Sequence, residues 1–373
     1  MAKKIVFVLN AITITRCQKR VQEFIDHGYE VEVYGFERGG ETYAKPASYE
    51  IETIGYHPVS MSYYKRLLVI MNALRRLHKK YKYQKDVVFY YFFFDVAFVP
   101  MLLNHKRILW DLHELPLLFT SNFLLRKLLR YTFNRCKVVL HANPQRADFL
   151  ESLGVVSDRS KHIAIRNYPN FDDVDIVHDE TFKAFIEWKG ARKCVYLQGL
   201  SEERRSAYES VAAVLKQGDL VAVVVGKMYP EGLERLKHDF GEEVLRDRIL
   251  FVGKIAQLKI PQYVSECQLS LIFYKNVQLN NWYCEANRFY QSVILGLPVV
   301  TGNNPSMKEL VEKYGFGVSL DDDGSSIEKI VIGMNQVLSN YDYYCKNTLR
   351  YRSNLLWDNQ EDVIKHVVDK LMT

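Results

Sequence analysis

The chain's six cysteines, Cys17, Cys136, Cys194, Cys267, Cys284 and Cys345, are scattered, and no two form a Cys-x-x-Cys pair. That spacing argues against a zinc ribbon and a disulfide framework, and it reads as a reduced, cytoplasmic protein. No Gly-x-Gly-x-x-Gly follows the first apolar segment, which argues against a dinucleotide cofactor in the first half. Nor does any apolar run reach the ~20 residues of a membrane span, since the longest, Val87 to Leu103, contains Asp95 and Pro100. The early run Ile5 to Leu9 is too short for a signal peptide, meets no small-residue cleavage site and reads as a strand. Acidic residues are missing from two long stretches, Tyr64 to Lys85 and Phe123 to Lys137. The net charge of +6 is therefore unevenly placed and gives the first half a basic face.

What is present is globular: 48% hydrophobic and 25% charged residues over 373 positions predict two domains, each able to bury a full core. Strand and helix patterns alternate throughout. In the first half, Lys4–Leu9, Glu30–Tyr34, Asp86–Tyr91, Arg107–Trp110, Lys137–His141 and Ile163–Asn167 read as strands. Tyr64–Lys82 and Phe123–Phe133 read as basic amphipathic helices. Turn chemistry from Asn167 to Asp173 marks a domain boundary. The second half restarts with strands Cys194–Gln198, Leu220–Val225 and Ile249–Val252, each followed by a glycine, Gly199, Gly226 and Gly253. A glycine at a strand's carboxyl end lets backbone approach a ligand closely, and it also serves any tight turn.

Two stretches carry candidate chemistry. Asp111, His113 and Glu114 follow directly on a strand, where open parallel sheets bind ligands, although a capping Asp and a satisfied His would also account for them. In Asn281 to Thr301, a helix that Gly296 ends places Asn287, Arg288 and Gln291 in its opening turns. Free N–H groups and the helix dipole favour an anion there. The acidic runs Asp321–Asp323 and Asp172–Asp173 fall in a capping turn and in the linker, so no metal site is expected.

These residues carry a resemblance to GT-B glycosyltransferases, of the nucleotide-sugar-dependent group that builds bacterial polysaccharides. It rests on Tyr196-Leu197-Gln198-Gly199-Leu200, Val224-Val225-Gly226-Lys227, Ile249-Leu250-Phe251-Val252-Gly253-Lys254 and Asp111-Leu112-His113-Glu114. Its most specific element is Ala286-Asn287-Arg288-Phe289-Tyr290-Gln291 before Gly296-Leu297-Pro298-Val299-Val300, which is similar to the family's Pro-Asn-Lys-x-Phe-Glu and Gly-x-Pro-Val-Val. The resemblance implies two Rossmann-like, doubly wound α/β domains facing across a cleft. They would be an acceptor domain over 1–168 and a donor domain over 169–350, with a C-terminal helix in 351–373 returning to the first domain.

Carried over, it implies that Arg288 meets the donor pyrophosphate and Gln291 the ribose. Gly199 and Arg204 would lie at the phosphates, and Gly253, Lys254 and Ile255 at the base. Gly226, Lys227, Glu285 and Asn287 would complete the donor site, and His113, with Asp111 and Glu114, would face the transferred sugar. Gln291 stands where the family has Glu, Tyr283 where many retaining members have a second Glu, and Arg288 where it has Lys. These departures leave retention or inversion open. The implied partners are a nucleoside-diphosphate sugar and a glycan or lipid-linked acceptor, with no cofactor, no metal and no nucleic acid. The basic helices suggest a peripheral position on an anionic membrane surface, at the inner face of the cell membrane. A sugar-nucleotide epimerase of the same fold, or a binding protein without turnover, are the alternatives.

Overall fold

A computed structural model describes residues 4–12, 15–39, 49–84, 86–92, 107–170 and 180–372. Asp95, Pro100, Asp172 and Asp173 lie outside these. The chain divides into two compact units, one of Met1–Asn167 with Gln360–Thr373 and the other of Tyr168–Asn359.

In the first unit β1 (Lys4–Leu9), β2 (Glu30–Glu37), β3 (Ile51–Tyr56), β4 (Val87–Phe92), β5 (Ile108–Leu112), β6 (Val138–His141) and β7 (His162–Ala164) form a parallel sheet in the order β3-β2-β1-β4-β5-β6-β7. Ile5 to Leu9 and Val87 to Phe92 are buried throughout. Strands covered on both faces read as continuous apolar runs, not as alternation, which is why these two were recognisable. The helix Glu361–Met372 belongs to this unit and buries Ile364, Val367, Val368 and Leu371, one stripe at helical spacing. The Gln360 side chain just before it accepts a hydrogen bond from the Arg166 backbone N–H at 3.2 Å.

In the second unit β8 (Lys193–Gln198), β9 (Leu220–Val225), β10 (Ile249–Gly253), β11 (Leu269–Ile272), β12 (Val299–Thr301) and β13 (Gly317–Ser319) form a parallel sheet in the order β10-β9-β8-β11-β12-β13. Counted within the unit this is 3-2-1-4-5-6, the Rossmann order. The unit runs to Asn359, past the residue 350 suggested by sequence. Leu355 is fully buried in a cluster with Phe289 and Tyr290, and the Trp357 N–H donates to the Pro169 carbonyl at 2.9 Å. Asp322 accepts from the N–H groups of Gly324 and Ser326 at 2.8 and 3.1 Å, a turn and capping arrangement. Among the described residues no helix is long and apolar enough to cross a membrane.

A buried histidine pair in the first unit makes its stability sensitive to acid. His141 Nε2 and His162 Nδ1 lie 2.8 Å apart on neighbouring strands, under the edge of the Phe133 ring. Burial pushes His141 well below the ordinary histidine value and His162 down to about 4. Both stay neutral in the folded unit while the unfolded chain protonates near pH 6.5. Their stabilising contribution is therefore complete above about pH 6.5 and lost as pH falls through the folded-state values. We expect a loss of roughly 2 kcal/mol from His162 alone by pH 5, read as a falling urea midpoint between pH 7.5 and 5. His162→Phe should flatten that dependence, and an unchanged slope in this variant would remove the pair as its cause.

Candidate functional site

The Rossmann order reverses between β8 and β11, and the crevice outside the carboxyl ends of those strands is where such sheets bind ligands. β8 ends at Gln198 and turns at Gly199, whose φ is +67°. The Gly199 N–H donates to the Val225 carbonyl at 3.0 Å, and the Gly226 N–H donates to the Gly253 carbonyl at 2.7 Å. The three glycine turns are thus hydrogen-bonded into one edge. A Cβ at position 199 would stand 2.8 Å from Arg205 Nη1, so only glycine leaves the guanidinium its place.

The helix Asn287–Ile294 reaches this crevice after β11. It forms because Phe289, Tyr290, Val293 and Ile294 bury one side in the apolar core. It ends because Gly296, at φ +83°, lets the Leu297 N–H turn back to the Ser292 carbonyl at 2.9 Å. Arg288, the second residue of this helix, is only 5% exposed. Its guanidinium donates to the Gln198 carbonyl and, at 3.1 Å, to the Phe273 carbonyl. It also lies 5.2 Å from the centre of the Tyr274 ring. No carboxylate pairs with it among the described residues, and its Nε has no hydrogen-bond partner. Burial lowers its pKa, as expected for a cation desolvated without a counter-ion.

Arg205 stands beside it. Its Nη1 donates to the Gly199 carbonyl at 2.9 Å, its guanidinium lies 5.7 Å from the same Tyr274 ring, and Glu202 is 3.6 Å from its Nη2. Arg204, the residue expected from sequence, is turned elsewhere: it pairs with Glu202 and donates to Asn281 Oδ1 at 2.8 Å. Sequence alone could not separate two adjacent arginines. The structure does so because they leave the backbone in different directions, just ahead of Ser206. At φ +52° Ser206 is the one non-glycine residue with positive φ among those described. That conformation costs an L-residue roughly 1–2 kcal/mol. Ser206→Gly should therefore raise stability by about 0.5–1 kcal/mol after the extra entropy of the unfolded glycine, seen as a higher denaturation midpoint. A lower midpoint would show that the buried Ser206 hydroxyl contributes more than its backbone costs.

Of the other expected donor residues, Gly226 and Gly253 form the turns next to Gly199. Asn287 and Lys227 are exposed, Lys254 is exposed beyond β10, and Ile255 packs at the rim of an apolar cluster. Gln291 is half-buried, and its amide bonds to no described residue. Glu285 accepts from the Tyr290 hydroxyl.

The first-unit trio has divided roles. Asp111 is buried, accepts from the Tyr90 hydroxyl at 2.7 Å and lies 3.5 Å from Arg20 Nε. His113 sits edge-on to Phe92, with ring centres 4.5 Å apart. Its carbonyl accepts from Arg146, which also pairs with the exposed Glu114 at 3.1 Å. Sequence reading missed Arg146, because its partners lie more than 30 residues earlier in the chain.

No family model matches this chain, and neither does any curated relative at the sequence level. Solved structures do match, over almost its whole length. A sucrose-phosphate synthase from Thermosynechococcus elongatus has a TM-score of 0.74 at 14% identity, covering 99% of each chain. The Anabaena protein HepE in complex with UDP has a TM-score of 0.72 at 13% identity, covering 98% of this chain and 99% of that one. A glycosyltransferase from Rickettsia africae has a TM-score of 0.73 at 14% identity, covering 99% and 98%. The chain has the fold these structures share, the GT-B fold of two Rossmann-like domains.

Proposed function

We propose that this protein is a glycosyltransferase that moves a sugar from a nucleoside diphosphate to a glycan or lipid-linked acceptor. The observation that carries this reading is Arg288, a buried guanidinium without a counter-ion at the switch point of the second sheet, with Arg205 beside it. A diphosphate would supply the missing charge. Departure of a nucleoside diphosphate builds negative charge on the pyrophosphate, and two fixed cations with helix-end N–H groups stabilise that charge where it develops. The proposal needs no metal for that step. That HepE of the same fold is solved with UDP supports the reading. In the first unit the proposal assigns His113 to the reacting sugar, gives Arg146 the task of holding its loop, and gives Asp111 a structural role with Arg20 and Tyr90.

The test is a thermal-shift panel of UDP, GDP, dTDP and CMP, because a ligand that binds only the folded state raises its melting temperature. No shift with any of them overturns the reading. Incubating the preferred donor without acceptor then separates transfer from epimerisation, since an epimerised donor would establish the alternative enzyme.

The lipid-linked acceptor draws support from the helix Phe123–Arg135, which carries two apolar stripes. Leu129 and Phe133 are buried, but Phe123, Leu124, Leu128 and Tyr131 are exposed, the first two by 68% and 70%. They lie among Arg126, Lys127, Arg130 and Arg135 with no acid between them. An anionic bilayer surface matches both the charge and the apolar tips. Burying each large side chain is worth roughly 2 kcal/mol. Phe123→Ser with Leu124→Ser should therefore weaken binding to phosphatidylglycerol vesicles by well over tenfold, and 0.5 M salt should weaken it further. Cosedimentation unaffected by either change would remove the membrane from the proposal.

A further inference from the structure

Away from the donor site, the first unit holds a buried polar side chain that its own fold leaves unpaired. His57 follows β3 directly, is fully buried, and neither of its ring nitrogens has a hydrogen-bond partner among the described residues. Burying an imidazole in this way costs stability unless a ligand or a water completes it. Its surroundings are cationic. The His57 N–H donates to the Glu37 carbonyl at 2.9 Å, which carries the parallel register one step past the Glu37 and Tyr56 pair and sets Arg38 beside His57. Phe36 lies on the same face, its ring centre 5.0 Å from that of His57. The helix Tyr63–Tyr81 covers this face, because a Cβ at Gly55 would stand 3.2 Å from both the Phe36 ring and Val69 Cγ1. Arg66, one turn ahead of Val69, therefore lies toward the carboxyl end of β3. Burial, with the charges of Arg38 and Arg66 added, holds the imidazole down at about 4, so it is neutral near pH 7. The helix runs for 19 residues and starts here without a side-chain cap from Ser62, so its first N–H groups and its dipole add to the positive potential.

We propose that this corner of the first unit binds a phosphate group carried on an apolar chain, with Arg38, Arg66 and the His57 N–H on the phosphate oxygens. Two guanidinium groups and an uncapped helix start favour an anion, and the guanidinium fork suits phosphate. The buried imidazole gains the partner it lacks. The rim supplies the other half of the chemistry, since Val59, Tyr63 and Tyr64 around the same turn are large and exposed, Val59 by 73% and Tyr64 by 70%. An inorganic ion would leave that apolar rim in water, whereas an alkyl phosphate would cover it. The site is formed within the first unit alone and does not depend on the donor chemistry. That its ligand is the phosphate of a lipid-linked acceptor rests on the transferase reading above.

The experiment is a calorimetric titration of the full-length Arg288→Met chain, which lacks the donor clamp, with decyl phosphate below its micelle concentration and with inorganic phosphate. Decyl phosphate should bind at one site and about tenfold or more tighter than inorganic phosphate, since burying about two methylene groups already accounts for that ratio. Arg38→Ala and Arg66→Ala should each weaken it by about tenfold or more, the loss of a charge-assisted bond. His57→Leu should weaken it too while leaving the unliganded chain at least as stable, because the imidazole gives up no bond. Phe123→Ser with Leu124→Ser should change nothing, which separates this site from the helix Phe123–Arg135. Equal affinity for the two phosphates overturns the apolar chain and assigns the site to free phosphate. Absence of binding, or binding that both arginine substitutions leave unchanged, overturns the proposal altogether. If those variants fail to fold, phenylglyoxal labelling of the unaltered chain decides. Decyl phosphate should then protect Arg38 and Arg66 in the peptide map and leave Arg350 unprotected, and equal labelling with and without it is the overturning result. A nucleotide panel without any shift would remove the donor reading and leave this titration to decide the phosphate site by itself.

Discussion

Replacing Arg288 by Met should abolish the nucleoside-diphosphate-dependent melting shift while leaving the unliganded protein about as stable as before. Two opposing effects act on the empty protein. The substitution removes the hydrogen bonds to the Gln198 and Phe273 carbonyls, a loss of about 1–3 kcal/mol. It also removes a buried charge that no carboxylate neutralises, a relief of similar or larger size. The liganded protein has no such compensation. Charge-assisted bonds from a guanidinium to phosphate oxygens are each worth roughly 1.5–3 kcal/mol, so two of them account for at least about a hundredfold in affinity. Arg288→Lys should recover part of it, since an ammonium keeps the charge but loses the fork. Differential scanning fluorimetry with and without ligand reads both quantities. Collapse of the unliganded variant would make Arg288 a structural residue, and a preserved shift would place the anion elsewhere.

The largest loss of stability is expected at Arg248, far from this chemistry. Its guanidinium gathers backbone carbonyls at the amino-terminal side of β9. Nε donates to Leu220 at 3.0 Å, Nη1 to Leu215 at 3.0 Å, and Nη2 to Val214 at 3.0 Å and to Gln217. Val214 and Leu215 close the helix Ala207–Leu215, whose last carbonyls have no partners within the helix. One planar cation thus ties a helix end to the next strand. Arg248→Ala would take the guanidinium away from four carbonyls, of which Val214 and Gln217 keep the N–H groups of Gln217 and Leu220, and should destabilise the second unit by about 2–3 kcal/mol. Arg248→Lys should restore little, because a single ammonium cannot span these acceptors. Calorimetry should show the second unit melting earlier in both variants; an unshifted transition would mean that water replaces the guanidinium at low cost.

Much of the fold was legible because parallel strands covered on both faces are unbroken apolar runs, as in Val87–Phe92 and Leu220–Val225. Edge strand β3 was not, since IETIGY buries only Ile54. The helix Tyr341–Tyr351 was missed as well. Its sequence is tyrosine-rich with mediocre helix formers, and only Tyr344 and Thr348 are buried, so packing and not propensity decides it. In the candidate site, the glycine turns and Arg288 were visible as local pattern. Arg205, Tyr274 and Arg146 were not, because each acquires its place from groups distant in the chain.

The helix Glu361–Met372 completes the first unit although the entire second unit is encoded before it. During synthesis the second unit can therefore close on itself while the first still exposes the surface that Ile364, Val367, Val368 and Leu371 will cover. The order in which the ribosome emits the two units is the reverse of the order in which they can be finished. For a time the nascent chain holds a finished second sheet and an open first one, and any chaperone acting on it would find its apolar target in the part made earliest.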